Sequence, residues 1–261
     1  AEKDEWQNPY YGFPQMIRFA FNPSAACRKK LEALKKSGTT YAFSALFKPQ
    51  SVSLDNENHA HRKFENEKEI LELLQVIDGS KEDENILGFL DYDKIKSGKM
   101  CRHIVAVLPY CASCDALETL ILANKDKFKN LGAYKIINIS GLENKFKKVQ
   151  DIKNAITQAE KNDEKTLTLT VNRMLTGSTV EQWDTMLYLK DTLSPQEYDQ
   201  AIFRLQNQYI KTLTDKNGNV IKFNMKPQTL LVDFDPARMF VMQEKKSLIY
   251  NVNTDERGNE K

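Results

Sequence analysis

Between residues 101 and 235, short runs of β-branched and apolar residues alternate with longer segments of helical periodicity. This alternation predicts strands at 103–108, 134–139, 167–171, 185–189 and 229–234, and helices at 113–123, 146–160 and 196–210. Strands that alternate with helices are typical of a parallel sheet covered by helices on both faces. The sequence therefore predicts a single α/β core over residues 100–235.

The first 99 residues mix the two periodicities less regularly. They predict strands at 16–21 and near 41–47, helices over 24–36 and 62–77, and loops at 51–61 and 79–85. We expect residues 1–99 to form an N-terminal α/β extension or a small subdomain that packs against the core. Residues 236–261 are expected to form a C-terminal tail, or a helix that leads to a further domain.

Composition excludes several classes of protein. Hydrophobic residues make up 41% of the 261 residues, which excludes a disordered chain, and a net charge of +2 does not identify a partner. The sequence has no apolar run near the ~20 residues of a membrane span and no secretion signal, so we expect a soluble, cytoplasmic protein without a membrane partner. The start at Ala1 and the polar end at Lys261 suggest a piece of a longer polypeptide.

Three of the four cysteines and one histidine are spaced in a way that resembles the ligands of a zinc site. Cys101 and His103 precede the predicted strand 103–108, whereas Cys111 and Cys114 follow it. A strand rises about 3.3 Å per residue, so the two pairs should lie at opposite ends of it, too far apart for one zinc ion. Buried or half-buried thiols are the favoured interpretation, and no metal site is predicted.

The predicted helix over 196–210 has two distinct faces. At about 100° per residue, one face gathers large apolar side chains: Tyr198, Ile202, Leu205 and Tyr209. The opposite face gathers polar side chains: Gln200, Arg204, Asn207 and Lys211. An ordinary amphipathic helix with a solvated outer face explains this pattern by itself. Whether the polar face has a function therefore depends on the sequence around the helix.

That context is a strand at 167–171, a loop with the single glycine Gly177, and a second strand at 185–189. Ser194 is a natural N-cap for the helix that follows, and Pro195 suits its first turn. Here the sequence resembles the second RecA-like domain of superfamily-2 helicases and translocases. It is most similar to the motor subunits of type I and type III restriction enzymes and to related bacterial DEAD/DEAH-like helicases. The resemblance covers residues 100–235, with 102–121 similar to motif IV, 171–180 to motif V and 200–207 to motif VI.

The resemblance implies a RecA-like fold and a role in ATP hydrolysis between two such domains. The N-terminal RecA-like domain of the same polypeptide would supply the phosphate loop and the acid that binds Mg²⁺. Arg204 would act on the γ-phosphate, with Gln200 as the first glutamine of motif VI. Gly177 and Asn207 would bind the nucleotide. Thr176, Ser178 and Thr179 would connect its cleft to the phosphates of double-stranded DNA.

Two residues depart from the pattern Gln-x-x-Gly-Arg-x-x-Arg of motif VI. Phe203 replaces the glycine, and Asn207 replaces the second arginine. The chain also has no Gly-x-x-x-x-Gly-Lys-[Ser/Thr] phosphate loop. We therefore expect ATP and Mg²⁺ to be used by the full-length protein, and this chain alone to bind no cofactor tightly and to be inactive.

A local surplus of basic residues supports contact with nucleic acid. Residues 125–153 contain eight lysines and three acidic residues in a nearly neutral chain. Lys145, Lys147 and Lys148 are the densest group, and lysines of this kind could follow a phosphate backbone without sequence specificity. A solvated lysine face is the equally weighted alternative.

Other functions remain open at this point. Asn8-Pro-Tyr-Tyr11 is similar to the Asn-Pro-Pro-Tyr motif of amino-methyltransferases but lacks its second proline, and the residues for a nuclease centre would be Asp233, Asp235, Glu244 and Lys246. The pair His59 and His61 has no third metal ligand nearby. The main alternatives are a non-catalytic RecA-like interaction module and a DNA-binding fragment attached to a nuclease or methyltransferase. A phosphate loop and an Asp-Glu-x-x box in the preceding few hundred residues would favour the motor, and their absence would favour the module.

Overall fold

The computed structural model describes residues 11–39, 42–50, 63–83, 88–92, 100–141, 145–171 and 179–235. Its strands are Gln15–Ala20 (β1), His103–Val107 (β2), Lys135–Asn138 (β3), Thr166–Thr170 (β4), Thr185–Tyr188 (β5), Ile210–Thr214 (β6), Val220–Asn224 (β7) and Gln228–Asp233 (β8). Its α-helices are Ala25–Lys36 (α1), Ala42–Leu46 (α2), Glu67–Asp78 (α3), Cys111–Ala123 (α4), Val149–Lys161 (α5) and Pro195–Phe203 (α6).

Six strands form one sheet in the order β1-β8-β5-β2-β4-β3, and every neighbouring pair is parallel. β2 lies inside the sheet and is buried along its whole length. Val107, its last residue, is aligned with Thr170 of β4 on one side and with Tyr188 of β5 on the other. The carboxyl ends of these strands therefore meet at one edge of the sheet, which we call the carboxyl edge, and their first residues define the amino edge.

Helices cover both faces of this sheet. On one face, α1–α4 pack on the alternate apolar residues Ile104, Ala106, Leu167, Leu169 and Leu187. On the other face, α5 and α6 pack on Val105, Val107, Ile137, Met186 and Tyr188. Successive strand residues point to opposite faces, so the inner strands β2, β4, β5 and β8 need side chains that tolerate burial on both faces, and apolar residues and threonine mostly supply them. This arrangement confirms the predicted α/β class with a parallel sheet and helices on both faces.

The N-terminal segment contributes directly to this sheet. β1 is its edge strand and is aligned with β8 from Gln15↔Gln228 to Ala20↔Asp233. Cys27 of α1 and Ile70 of α3 belong to the same hydrophobic cluster as α4. The strand at 16–21 and the helix at 24–36 are thus predicted to within one residue of their observed bounds.

The strand predicted near 41–47 is wrong, because the described residues of this segment form the short helix α2. Its apolar run has no clear period, and short runs of this kind fit a buried helix as well as a strand. Phe43 stacks on Phe234 at a ring centroid distance of 6.5 Å, so tertiary packing determines the conformation. The helix predicted over 62–77 begins only at Glu67, since Phe64 forms a bridge with Pro49.

The helix predicted over 196–210 is too long at its carboxyl end. α6 ends at Phe203, and Ile210 already begins β6, which pairs with β7 in an antiparallel hairpin. The turn predicted at Asp215–Gly218 connects these two strands, and Gly218 has the positive φ of 83° that a tight turn of this kind requires. Within the described part of the chain, no helix combines the length and the apolar character that crossing a membrane requires.

Candidate functional site

The carboxyl edge has a switch point between β2 and β5. These strands are neighbours, yet α4 follows β2 onto one face of the sheet and α6 follows β5 onto the other. Open α/β sheets bind ligands in the crevice that such divergent connections leave. Tyr110 and Cys111 border this point and are exposed. The Lys190 ammonium lies on the other side, 2.6 Å from an oxygen of Glu197.

The predicted lysine group lies at the same edge, at the start of α5. Lys145, Lys147 and Lys148 are exposed. The backbone N–H groups of Lys147 and Lys148 donate to Oδ2 of Asp151, at 3.2 and 3.0 Å, which satisfies donors at the helix N-terminus. The backbone is thus held while the three ammonium groups face solvent, which suits contact with a polyanion.

The end of β4 lies beside the end of β3 at this edge. The Ser140 hydroxyl is 3.2 Å from that of Thr170 and accepts a hydrogen bond of 3.2 Å from the Val171 N–H. The predicted residues Thr176, Gly177 and Ser178 come next in the chain and lie outside the described residues. Thr179, the next predicted residue, is exposed.

α6 positions the predicted motif VI residues. The Ser194 hydroxyl accepts a hydrogen bond from the Glu197 N–H at 3.2 Å, and Pro195 occupies the first turn, as predicted. Tyr198 and Ile202 are buried on the sheet, and the Tyr198 hydroxyl donates to Asp233 Oδ2 at 2.8 Å. The apolar face of the helix is therefore confirmed at these two positions.

The polar residues of α6 lie away from the sheet. Gln200 is exposed, and Arg204, which caps the helix, is half-buried. Burial lowers the pKa of the Arg204 guanidinium from its ordinary value. The Asn207 amide lies 3.5 Å from the carbonyl oxygen of Arg204, and Phe203 leaves 60% of its surface exposed. Arg204, Gln200 and Asn207 are thus near one another in the chain and accessible at the end of one helix.

Lys211 and Tyr209 do not lie on the helix faces that periodicity assigned to them. Lys211 belongs to β6, and its ammonium lies 2.8 Å from Glu160 Oε2. The Tyr209 hydroxyl donates to the same oxygen at 2.8 Å. The cause is the early end of α6 at Phe203, after which the chain leaves the helical path.

The structure separates the predicted site residues into two groups. α6 starts after β5 at the carboxyl edge and runs back along the sheet for nine residues, about 13 Å. Arg204 at its end is therefore directed to the amino edge, where Glu160 contacts His103, the first residue of β2. Lys145, Lys147 and Lys148 lie at the carboxyl edge, so they do not form a single cluster with Arg204.

Sequence patterns did not indicate the buried polar residues of the amino edge. Glu160 accepts hydrogen bonds from His103, Tyr209 and Lys211, and the other ring nitrogen of His103 lies 2.9 Å from the Thr166 hydroxyl. Burial alone would raise the pKa of Glu160, but the bonds from His103, Lys211 and Tyr209 together lower it to about 2. Lys226 is a second buried charge of this region. Its position in a short polar stretch between β7 and β8 is typical of a surface turn, so no local signal marks it.

The other candidate groups of the sequence gain no support as sites. Asp233 is buried and accepts hydrogen bonds from Tyr198 and the Asp235 N–H. Cys101 and Cys114 are buried at opposite ends of β2, as the spacing predicts. Among the residues that the structure describes, His, Cys, Asp and Glu side chains form no group of three or more suited to a metal ion. Several candidates lie outside the described residues: Asn8, His59, His61, Glu244 and Lys246.

Comparisons with known proteins link the chain to restriction–modification proteins. No model of a known protein family matches the sequence. A Mycoplasma pneumoniae protein, provisionally named the C-terminus of a type II restriction enzyme and methyltransferase, is 33% identical over 177 residues. The match covers 65% of this chain and 23% of that relative, so the chain spans less than a quarter of its length. The predicted similarity to restriction enzymes is supported at this level.

Among solved structures, the C-terminal part of the Fun30 ATPase domain aligns with 84% of this chain at 12% identity and a TM-score of 0.37. The alignment covers 85% of that structure. A TM-score of this size carries no argument about fold or function.

Proposed function

We propose that this chain is the second RecA-like domain of an ATP-dependent DNA translocase or helicase that belongs to a restriction–modification protein and acts in the cytoplasm. The observation that carries the proposal is α6, which buries Tyr198 and Ile202 and leaves Gln200 and Arg204 accessible in the segment that resembles motif VI. The similarity to a restriction–modification relative over 177 residues supports the same class of protein.

The nucleotide would be shared with a partner domain of the same polypeptide. The N-terminal RecA-like domain would hold the ATP phosphates and Mg²⁺, because this chain has no phosphate loop. Arg204 suits the remaining task, since a planar guanidinium stabilises charge that develops on the γ-phosphate oxygens. Its half-buried position strengthens that interaction, because charges interact more strongly away from bulk water. Gln200 precedes Arg204 by four residues and so lies on the same side of α6.

Double-stranded DNA would run along the carboxyl edge. Lys145, Lys147 and Lys148 are exposed there and would contact phosphates, with Thr176, Ser178 and Thr179 as further contacts. Lysine contacts with phosphate carry no sequence information, so binding by this surface would be non-specific and sensitive to salt.

The test uses the full-length protein and this chain side by side. ATP hydrolysis is measured with and without duplex DNA, and DNA affinity is measured by fluorescence anisotropy at several salt concentrations. We expect DNA-stimulated hydrolysis only in the full-length protein, and salt-dependent DNA binding by both. Hydrolysis by this chain alone would contradict the shared-site proposal, and a full-length protein without ATPase activity would contradict the motor.

The second candidate is a non-catalytic interaction module with the same fold. The features that favour it are Phe203, 60% exposed where motif VI has glycine, and Asn207 in place of the second arginine. In that case the exposed aromatic ring would contact a partner protein, for example an attached nuclease or methyltransferase. A full-length sequence without a phosphate loop and an Asp-Glu box upstream of this chain would favour the module over the motor.

A further inference from the structure

Lys226 is a buried lysine with two backbone acceptors. Its side chain is 1% exposed, and its ammonium donates to the carbonyl oxygens of Glu181 at 2.8 Å and Trp183 at 3.1 Å. Burying an ammonium costs several kcal/mol before such contacts offset part of it, and an apolar side chain would fill the same volume without that cost. Unlike an apolar side chain, lysine donates directed hydrogen bonds to two carbonyl groups. Both carbonyl groups belong to a segment that is neither strand nor helix.

That segment leads from the predicted motif V into β5. Thr179 is its first described residue, two positions before Glu181. The Glu181 carboxylate pairs with Lys153 of α5 at 2.7 Å, and the Trp183 indole N–H donates to the Thr168 hydroxyl at 3.2 Å. The chain that leaves the motif V loop is therefore anchored on three sides, by α5, by β4 and by Lys226.

Lys226 also belongs to the base of the β6–β7 hairpin. Its backbone N–H donates to Asn224 Oδ1 at 3.0 Å, and the neighbouring Met225 N–H donates to the Tyr209 carbonyl oxygen at 2.8 Å. Tyr209 follows Arg204 by five residues, and its hydroxyl is held by Glu160. The backbone around Lys226 is thus bonded to the segment that leaves motif VI, while its side chain is bonded to the segment that leaves motif V.

We propose that Lys226 is a positioning residue that couples the DNA-contacting segment at Thr179 to the nucleotide-contacting Arg204. This inference rests on the proposed motor function. A displacement of residues 179–183 caused by DNA would be transmitted through the ammonium to the hairpin base and from there to Tyr209 and the end of α6. Lys226 contacts neither ligand in this scheme, so its loss affects the stimulation of hydrolysis by DNA rather than nucleotide binding.

The charge of Lys226 also predicts that the stimulation of hydrolysis by DNA depends on pH. Burial lowers its pKa to about 8, against the opposing effects of the nearby carboxylates of Asp184 and Glu181. The Lys153 ammonium pairs with the Glu181 carboxylate at 2.7 Å and so offsets part of the effect of that carboxylate on Lys226. Above pH 8 the ammonium loses its proton and holds the carbonyl groups less strongly, so stimulation by DNA should fall. The free energy of unfolding should instead rise with pH. Between pH 8 and the ordinary pKa of 10.5, the unfolded chain binds more protons than the folded one, so raising the pH favours the folded chain.

The experiment compares Lys226→Met with Lys222→Met, an exposed lysine of β7, in the full-length protein. The measured quantities are kcat and KM for ATP with and without saturating duplex DNA. We expect Lys226→Met to reduce the DNA stimulation of kcat about tenfold, with KM changed little and the control unaffected. Equal stimulation in the two variants would overturn the inference, whereas a wild-type protein without DNA-stimulated hydrolysis would overturn the proposed function instead.

A second measurement keeps the inference testable if Lys226→Met does not fold. DNA stimulation of the wild-type protein is followed from pH 7 to pH 9 together with its free energy of unfolding. We expect stimulation to decline through about pH 8 while stability rises, and we expect no decline in Lys226→Arg, which stays charged over this range. Stimulation that is flat in the wild type, or that declines equally in Lys226→Arg, would contradict the role of the Lys226 ammonium.

Discussion

The two edges of the central sheet use charge in opposite ways. At the carboxyl edge, Lys145, Lys147 and Lys148 are exposed, and the backbone N–H groups of Lys147 and Lys148 bond to Asp151, at most four residues away. At the amino edge, the side chain of Glu160 is only 8% exposed and bonds to residues 49 to 57 positions away in the chain. Exposed charges on an ordered backbone can bind a polyanion. Buried charges whose hydrogen bonds are satisfied instead fix the positions of the helices and strands that carry them.

The strongest test of this contrast is a variant that lacks the Glu160 carboxylate. Glu160→Ala leaves three buried or half-buried donors without their acceptor, so we expect a loss of about 3–5 kcal/mol in the free energy of unfolding. Glu32→Ala, at an exposed position of α1, should change it by less than about 0.5 kcal/mol. Urea denaturation of both variants measures the difference, and a small loss for Glu160→Ala would show that the amino edge does not depend on this residue.

The next effect concerns the two faces of α6. Ile202 is 2% exposed, so Ile202→Ala should cost about 2–5 kcal/mol through lost burial and the cavity that remains. Phe203, the adjacent residue, is 60% exposed, so Phe203→Ala should cost less than about 0.5 kcal/mol. Thermal or urea unfolding of this matched pair checks the orientation of the helix. Equal losses would contradict the burial of one face.

A third effect is the acid sensitivity of the amino edge. The pKa of Glu160 is lowered from 4.5 to about 2 in the folded chain, so its contribution is complete above pH 4.5 and is lost as the pH falls towards 2. The contribution is roughly 3 kcal/mol, since one pKa unit corresponds to about 1.4 kcal/mol. We expect the stability of Glu160→Gln to depend less on pH than that of the wild type between pH 5 and 2. If the free energies of unfolding of the two proteins changed with pH in parallel, the lowered pKa of Glu160 would be contradicted.

The smallest expected effect is at the carboxyl edge. Replacing Lys145, Lys147 and Lys148 together by alanine should leave folding unchanged, because the three side chains are exposed. DNA affinity should fall roughly tenfold, and the slope of log K against log salt should decrease by about 1 for each phosphate that the protein no longer neutralises.

The matched control for this triple variant replaces three basic residues of α1, which lies on the opposite face of the sheet from α5. Its residues are Lys29, Lys35 and Lys36. Fluorescence anisotropy with duplex DNA compares both variants with the wild type. If the two triple variants showed the same decrease in affinity, binding would reflect overall charge rather than the carboxyl edge.

Much of the fold could be predicted from the sequence because its signals are local. The parallel strands of the core are short runs rich in apolar residues and threonine, and their predicted bounds agree with the structure to within one residue. The cap formed by Ser194 and the buried positions Tyr198 and Ile202 also follow from short-range rules. These features need no knowledge of which elements become neighbours.

The rest depended on contacts between distant segments. Periodicity continued the helix beyond Phe203, but the pairing of β6 with β7 and the bonds to Glu160 place Tyr209 and Lys211 elsewhere. A lysine such as Lys226 is typical of a surface turn until the fold covers it. The predicted roles of Arg204 and of the carboxyl edge stay predictions until activity is measured.

The most direct test of the motor account is the DNA-stimulated ATPase of the full-length protein carrying Arg204→Lys. Lysine keeps the charge but cannot form the two directed hydrogen bonds of a guanidinium, and an arginine of this kind contributes roughly 10³–10⁵ to turnover in related phosphoryl-transfer enzymes. The same change at the exposed Arg18 of β1 serves as the control. The account predicts a loss of several orders of magnitude for Arg204→Lys and none for Arg18→Lys. Full ATPase activity in Arg204→Lys would contradict it.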